Sequence, residues 1–210
     1  TTTMSERFAS LQKVLPQHLI SRWIGKLAAS ENPTISKVFI EQFARAYDIS
    51  LEEAERKHFN DYVSFNDFFT RALDSNARPM PGAVNELASP VDGCVSQLGR
   101  ISNEQLFQAK GQRYSLRGLA GEAGQGFEGG DFCTIYLAPS DYHRIHLPYA
   151  GTLTQTIAYP GALFSVNGVT EEYIEGLFLR NERLVCRFDT AFGPMLVILV
   201  GALIVASIET

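Results

Sequence analysis

The sequence contains few cysteines, the residues that cross-link small secreted domains and bind structural metal ions. It has only three cysteines, Cys94, Cys133 and Cys186, which are far apart and form no Cys-x-x-Cys pair. This spacing predicts neither a disulfide framework nor a zinc site, and it favours a reducing compartment. Long apolar runs are also lacking. The longest, Met195–Ala206, is shorter than the roughly 20 residues of a membrane-spanning helix and predicts a buried strand instead.

Positive charge is scarce as well. The formal net charge of −5 at pH 7 argues against a nucleic-acid-binding protein, which would normally present a basic surface. The first 30 residues are the exception, because they carry Arg7, Lys13, Arg22 and Lys26 against one acidic residue, Glu6. A basic end beside large apolar side chains indicates contact with an anionic membrane surface.

Residues 1–80 show the three- and four-residue spacing of apolar side chains that is typical of helices. We predict two short helices within residues 5–29, one over 34–47 and one over 51–57. Ser64 and Asp67 resemble a capping box that begins a further short helix. The prolines of the segment RPMP, residues 78–81, then end the helical region.

The second predicted helix places Leu19, Trp23 and Leu27 on one face, with Arg22 and Lys26 on the other. Such an amphipathic helix packs on its own domain in most proteins. Its position near the chain terminus and its basic excess favour a helix that lies in the plane of a membrane surface. The two interpretations can hold together.

After residue 80, short apolar runs alternate with glycine and proline. This texture predicts an antiparallel β-sandwich or barrel, with strands over 93–99, 132–137, 152–159, 183–189 and 195–207. The glycine-rich segment 121–130 lacks the Gly-Lys-Ser/Thr of a phosphate loop and predicts a mobile surface loop. We therefore expect an α+β fold, with a helical, membrane-associating region over 1–80 and a β-rich domain over 81–210.

The densest polar cluster is the segment DYHRIH, residues 141–146, which contains two of the four histidines. His143 and His146 suit proton transfer near neutral pH. Two alternatives stay open. One histidine could stabilise a turn, or the pair could bind a metal with Asp141 as third ligand, although no further His–carboxylate group of ligand-like spacing accompanies them.

Two further segments are candidates for the site. Asp92, between Pro90 and Gly93, is either an ordinary turn residue or a carboxylate that orients a histidine. The segment PGALFSVN, residues 160–167, is either a hairpin connection or the wall of a pocket for an apolar ligand with a polar head. On the second interpretation Phe164, Ser165 and Asn167, together with Tyr142, contact the substrate.

Seven segments, in this order, resemble the phosphatidylserine decarboxylase family. They are FNDFFTRAL with ARP, SPVDGCVSQLG, AKGQRYSLRGL, YLAPSDYHRIHLP, PGALFSVN, RNERLVCRFDT and FGPMLVILVGALIVASIET. They extend from about residue 65 to the end, and YLAPSDYHRIHLP and PGALFSVN are the most specific. The resemblance is weaker in the amino-terminal helices.

The resemblance implies a proenzyme that cleaves itself. In the family, an Asp–His pair activates the serine of a Gly-Ser motif, and the serine remnant becomes a pyruvoyl group on a small α-subunit, where it serves as an electron sink. By motif position, Asp92 resembles the orienting carboxylate and His146 the general base of self-cleavage. His143 resembles the histidine that assists decarboxylation of phosphatidylserine to phosphatidylethanolamine.

The sequence departs from the family pattern because it contains no Gly-Ser dipeptide and stops at Thr210. The resemblance therefore implies a β-subunit portion that is inactive without its pyruvoyl-bearing α-subunit. It also implies a peripheral protein at the cytoplasmic face of the inner membrane, with phosphatidylserine and an anionic membrane surface as partners and αβ units that pair as homodimers. We expect neither a metal nor nucleic acid.

Two other classes of protein remain as alternatives. A non-catalytic β-sandwich binding module would also contain a turn of the form P-x-D-G-x-V, as residues 90–95 do. A metal-dependent hydrolase would use the His143/His146 pair with Asp141.

Overall fold

The structure is a computed structural model. It describes residues 12, 15–81, 83, 85–107, 113–167, 170, 173–203 and 208. The chain forms two compact units: the sheet unit comprises Thr1–Arg22, Val95–Thr134 and Ala150–Thr210, and the helical unit comprises Trp23–Cys94 and Ile135–Tyr149. Each unit contains segments from both sides of residue 80. The predicted division at that residue, into a membrane-associating region and a β-rich domain, stays a prediction.

The described residues form five α-helices and two 3-10 turns. The helices are α1 (Gln17–Ala28), α2 (Pro33–Ala46), α3 (Phe65–Phe69), α4 (Leu116–Ala120) and α5 (Leu177–Arg180), and the turns are Phe59–Asp61 and Gly121–Gly124. Helix α2 begins where the Asn32 side chain accepts hydrogen bonds from the N–H groups of Thr34 and Ile35, a preferred helix start. Ser64 caps α3 as predicted, accepting from the Asp67 N–H at 3.2 Å.

The short helix α3 is held by an aromatic cluster within the helical unit. Phe68 is fully buried and Phe65 nearly so. The Phe65 ring stacks on Phe39 of α2 at 4.4 Å between centroids and meets Phe43 edge-on at 4.8 Å. Buried aromatic pairs of this kind contribute about 0.5–1.5 kcal/mol beyond their area. The position of α3 is thereby fixed, and with it the ring of Phe69, which packs on His143.

Seven strands form three sheets in the described part of the chain. The strands are β1 (Cys94–Arg100), β2 (Gln105–Phe107), β3 (Arg113–Ser115), β4 (Asp131–Tyr136), β5 (Gly151–Tyr159), β6 (Arg183–Thr190) and β7 (Gly193–Val200). β1 pairs with β4, β2 pairs antiparallel with β3, and β5-β6-β7 form an antiparallel sheet. The predicted α+β class is confirmed, but no sheet of described residues closes into a barrel.

The central strand β6 anchors the larger sheet. In its register Val185 lies opposite Ile157 on β5 and Ile198 on β7, and its side chain is completely buried. It packs with Leu116 and Ala120 of α4. Full burial of such a side chain contributes roughly 1.5–3 kcal/mol, so α4 is fixed on this sheet.

Three details differ from the sequence-based expectations. The predicted helix over 51–57 forms turns instead, closed by a bridge between Ala54 and Leu73. The predicted strand over 195–207 ends at Val200, and the first predicted helix lies almost wholly outside the described residues. The glycine-rich segment is not entirely a surface loop, since Ala123 and Gly124 are buried.

Candidate active site

The segment that contains both site histidines has neither helix nor strand and follows β4 directly. Its first turn is closed by Asp141, whose carboxylate accepts a hydrogen bond from the Ala138 N–H at 2.7 Å. Two main-chain hydrogen bonds then tie the segment to the Asp92 loop. They join His146 N–H to the Pro90 carbonyl at 2.8 Å and Ala88 N–H to the Pro148 carbonyl at 2.9 Å. The predicted site residues of both segments are thus brought together.

His143 is half-buried. Its Nδ1 contacts the Asp141 carbonyl oxygen at 2.7 Å, and because a carbonyl only accepts, Nδ1 carries the proton. Its ring packs on Phe69 with 3.9 Å between centroids. Burial, reinforced by the charge of Arg71, lowers the pKa of His143 below its ordinary value. The imidazole is therefore neutral near pH 7, with Nε2 as its unprotonated atom.

His146 has a different partner. Its Nε2 lies 2.9 Å from the hydroxyl of Tyr142, and the two rings are nearly parallel with 5.6 Å between centroids. Tyr142 itself is buried, and this burial raises the pKa of its hydroxyl. Tyr142 is predicted to contact substrate. Its hydroxyl lies within hydrogen-bond distance of His146 Nε2, the nitrogen expected to act as general base.

Asp92 belongs to a network of charges rather than to a simple turn. Arg78 donates from Nε to its Oδ1 at 2.8 Å and binds Glu53 through Nη1 at 2.9 Å. The Arg78 hydrogen bonds hold the pKa of Asp92 below its usual range, and the charge of His146 acts in the same direction. The carboxylate is therefore ionised. Its hydrogen bonds go to Arg78, while the interaction with His146 is electrostatic.

Arg71, which the sequence did not single out, is the buried cation of the site. It is 5% exposed, and its Nη2 donates to the Ser140 carbonyl at 3.0 Å. Its Nη1 is buried and donates to no atom of the described chain. The charges of Asp141 and Asp92 act on the guanidinium, while burial lowers its pKa. The segment FFTRAL, already matched to a family motif, was the signal that could have revealed this residue.

The remaining predicted substrate residues belong to the sheet unit. Phe164 is 3% exposed, and its N–H and carbonyl are both bound by the Asn181 side chain. The Ser165 N–H donates to Gln12 at 2.8 Å, and Asn167 forms a turn with Thr170. The structure therefore places Phe164, Ser165 and Asn167 in one unit and Asp92, His143 and His146 in the other.

Gly161 explains why this segment begins with a tight turn. A Cβ at this position would lie 2.5 Å from the Arg180 carbonyl oxygen, so only glycine permits the approach. Beside it is a groove of about 460 Å³ in the sheet unit, lined by Leu15, Pro16, Gln17, His18, Ala162 and Phe164 among others. The segment thus forms a pocket wall as well as a connection.

The predicted membrane-contact residues are solvent-exposed. Leu19, Trp23 and Leu27 are 55%, 69% and 50% exposed, and the Lys26 ammonium lies 5.4 Å from the centre of the Trp23 ring. No helix among the described residues is long and apolar enough to cross a bilayer.

The alternative metal site finds no geometric support in the described part of the chain. No three His, Cys, Asp or Glu side chains there are grouped as ligands. The Asp141 carboxylate is turned toward the Ala138 N–H, and the protonated Nδ1 of His143 is directed at a carbonyl.

A histidine whose pKa is lowered by burial and a buried arginine that binds the same turn are candidates for proton transfer and ligand binding in an enzyme site. The family model described as phosphatidylserine decarboxylase matches residues 65–210, and one described as PSD matches residues 7–48. The chain therefore belongs to the phosphatidylserine decarboxylase family of carboxy-lyases.

Full-length relatives agree with this assignment. The chain is 52% identical over 205 residues to the phosphatidylserine decarboxylase proenzyme of Psychrobacter cryohalolentis, covering 97% of this chain and 74% of that protein. It is 51% identical to the proenzyme of Acinetobacter baumannii strain ATCC 17978, covering 98% and 73%. The Saccharophagus degradans proenzyme is 51% identical, with 97% and 72% covered.

Proposed function

We propose that this chain is the β-subunit of a phosphatidylserine decarboxylase and takes part in converting phosphatidylserine to phosphatidylethanolamine. The observation that carries the proposal is the neutral His143 beside Arg71, in a chain whose relatives are named proenzymes of this activity. The chain spans 74% of the length of the Psychrobacter relative, which leaves room in that protein for a second product of cleavage.

The pyruvoyl group that the family implies fits the residues present. The buried Nη1 of Arg71, which has no partner among the described residues, can donate to an oxygen atom brought to this site, and the unprotonated Nε2 of His143 can accept a hydrogen bond or a proton there. When bound, the pyruvoyl group would supply the electron sink for decarboxylation. Its serine would come from a segment outside this sequence, which has no Gly-Ser dipeptide.

His143 would handle the proton of the decarboxylation step. Nε2 is the atom able to take up the proton that the substrate ammonium group gives up and to deliver it to the carbon that loses its carboxylate, because Nδ1 is committed to the Asp141 carbonyl. The Phe69 ring against the imidazole excludes water from one side, which protects the carbon from uncontrolled protonation. Placed acid–base groups contribute about 10²–10⁴-fold to rate.

His146 and Asp92 would serve self-cleavage, with His146 as base toward the attacking serine and Asp92 as the carboxylate that orients and stabilises its charged form. Support comes from the His146–Pro90 main-chain bond and from the charge interaction between the two side chains. The Tyr142 hydroxyl at 2.9 Å marks a position from which a serine hydroxyl could also reach Nε2.

The lipid would be bound at the inner-membrane surface on its cytoplasmic side. The exposed apolar residues Leu19, Trp23 and Leu27, flanked by Arg22 and Lys26, favour an anionic bilayer as the docking surface. Phe164, Ser165 and Asn167 remain candidates for substrate contact. The groove beside Phe164 has the apolar lining that acyl chains require.

The α-subunit would complete the β-structure. β7 is the outer strand of its sheet, and six consecutive residues, Met195–Val200, are each half-buried, so both faces of the strand require cover. A strand added there would extend the sheet toward the sandwich or barrel that the sequence predicts. Pairing of αβ units into a homodimer rests on the family resemblance alone.

The experiment uses the full-length proenzyme. Mass spectrometry is expected to find two chains, the smaller with a blocked, carbonyl-bearing amino terminus, and the preparation should form phosphatidylethanolamine from phosphatidylserine. Asp92→Asn and His146→Ala should each leave one uncut band, while the exposed Asp131→Asn should be cut normally. An uncut chain that decarboxylates phosphatidylserine would refute the proposal, and normal cutting of both site variants would remove the proposed pair.

A further inference from the structure

Arg71 is buried, and no carboxylate of the described residues forms a salt bridge with it. The side chain is 5% exposed, and its Nη2 donates to the Ser140 carbonyl at 3.0 Å. Nη1 is buried and has no hydrogen-bond partner in the part of the chain that the structure describes. No carboxylate lies within salt-bridge distance of Arg71 among the described residues, whereas Arg56 has one such partner and Arg78 has two. A buried charged donor left unsatisfied is costly, so this nitrogen is suited to an anionic ligand.

The neighbours of Arg71 indicate where that ligand lies. Its charge acts on His143, and His143 and Arg71 both bind the main chain of the same turn, at Asp141 and Ser140 respectively. The Phe68 ring lies 5.6 Å from the guanidinium carbon, and the Phe69 ring covers the imidazole. The free donor and the proton-handling imidazole thus belong to one largely buried cluster, built by α3 and the turn at 138–141.

We propose that Arg71 binds the carboxylate of the phosphatidylserine headgroup and so selects for a lipid that carries this group. The inference rests on the proposed function, in which His143 returns a proton to the carbon that loses its carboxylate. That carboxylate is one bond from the carbon served by His143 Nε2, so a group beside the imidazole meets it first. The headgroup phosphate is separated from the same carbon by several further bonds.

The type of interaction predicts which kinetic constant changes. With Nη2 engaged by Ser140, Nη1 offers one charge-assisted hydrogen bond, which corresponds to about a 10- to 100-fold effect on binding. The carboxylate gives up its negative charge as carbon dioxide forms, so the bond is stronger before the reaction than in the transition state. Loss of Arg71 should therefore raise KM without lowering kcat.

The test uses full-length proenzyme after self-cleavage, with short-chain phosphatidylserine as substrate and short-chain phosphatidylethanolamine as competing ligand. The second lipid keeps the phosphate and the amine but lacks the carboxylate. In Arg71→Gln, KM for phosphatidylserine should rise about 10- to 100-fold, while the inhibition constant of phosphatidylethanolamine stays at the wild-type value. Arg71→Lys should recover part of the loss, and the exposed Arg45→Gln should change neither constant.

Other outcomes overturn the inference. An equal loss of affinity for both lipids would assign Arg71 to the phosphate, and a fall in kcat with unchanged KM, or no change at all, would leave it a structural residue. If Arg71→Gln is not cut, the same comparison of the two lipids in Arg71→Lys decides. Failure of the wild-type enzyme to decarboxylate phosphatidylserine would refute the proposed function itself, before any variant is compared.

Discussion

Arg78 holds Asp92 from one side. Its Nε lies 2.8 Å from Oδ1 and 3.0 Å from Oδ2 of the carboxylate, and its Nη2 binds Oδ2 as well. The same guanidinium is anchored to Glu53. A planar guanidinium bound on two edges fixes direction as well as charge. Arg78 is therefore a positioning residue for the carboxylate proposed to orient His146.

Replacing Arg78 with Gln or Lys should slow self-cleavage of the full-length proenzyme, by about 10- to 100-fold if a displacement of about 1 Å results. Lysine keeps the charge but lacks the planar guanidinium that binds both carboxylate oxygens, so it should not restore the rate of self-cleavage. Because the Arg78 hydrogen bonds lower the pKa of Asp92, that pKa should rise in Arg78→Gln, and the acidic limb of cleavage rate against pH should shift to higher pH.

Arg100 provides the control for this prediction, since its contact with Asp131 at 3.6 Å is exposed on both sides. Arg100→Gln should cleave at the wild-type rate with an unshifted pH profile. A slower rate in Arg78→Gln with no movement of the acidic limb would indicate general damage to the fold and would contradict the positioning role.

His143→Ala should be cut normally into two subunits yet turn over about 10²–10⁴-fold more slowly. The pyruvoyl carbonyl should still trap an added amine, which separates lost proton transfer from a lost cofactor. Gel electrophoresis, amine trapping and product assay give the three measurements. The exposed His58→Ala should behave as wild type, whereas an uncut His143→Ala, or a cut one with full activity, would reverse the assignment of the two histidines.

The pH dependence of turnover gives a second check on His143. Burial lowers its pKa, so the imidazole stays neutral as pH falls through the ordinary histidine value of about 6.5. Where neutral His143 limits the rate, the acidic limb of kcat should lie below that value. The same shift predicts that its contribution to stability is complete above about pH 6.5 and is lost as pH falls through the folded-state pKa.

Trp23→Asp combined with Leu27→Asp should release the enzyme from anionic vesicles without affecting self-cleavage. Both side chains are exposed by half or more, so the folded protein should tolerate the change, while membrane insertion of the apolar face is lost. Vesicle co-sedimentation measures the effect. Val63→Asp, also at an exposed apolar position, is the control and should stay bound. Unchanged binding of the double variant would mean that this helix does not dock on the bilayer.

Asn181→Ala should destabilise the protein by about 3 kcal/mol or more. The completely buried side chain donates to the carbonyls of Phe164 and Gly201 at 2.8 and 2.9 Å and accepts from the Phe164 N–H at 3.1 Å. Alanine would leave three buried main-chain groups unsatisfied, at about 1–3 kcal/mol each before relaxation. Denaturant unfolding should show this loss, and a change below about 0.5 kcal/mol, as expected for exposed Asn66→Ala, would contradict it.

Much of the fold could be predicted because its pattern is local. The strand predicted over 183–189 is found at Arg183–Thr190, and the cap predicted at Ser64 is also found. The first was recognisable from a short apolar run and the second from one side chain. The segment 51–57 was wrongly predicted to be a helix, because seven residues with helical spacing of apolar side chains can also form turns. Arg56 and Lys57 stabilise these turns by binding Asp67 and Asp74, which are distant in the sequence. Helix propensity is a property of the local sequence and does not include such distant ion pairs.

The site was predictable only in part. His143 and His146 were visible as a dense polar motif, but their different partners, the Asp141 carbonyl and the Tyr142 hydroxyl, depend on an irregular backbone that no periodicity describes. Arg78 was interpreted as the end of the helical region, because the adjacent prolines dominate the local pattern. Its bond to Asp92 joins residues 14 apart and appears only after folding.

The outer edge of β7 bears on whether self-cleavage comes before or after folding. Among the described strands it pairs with β6 alone, and an open apolar edge can recruit the same edge of another molecule. A completing strand that is still part of the same polypeptide is present at a local concentration in the millimolar range. It would therefore occupy the edge sooner than a separate copy could. For the proposed β-subunit, synthesis as one chain with the cut made after folding would prevent association through the exposed edge of β7.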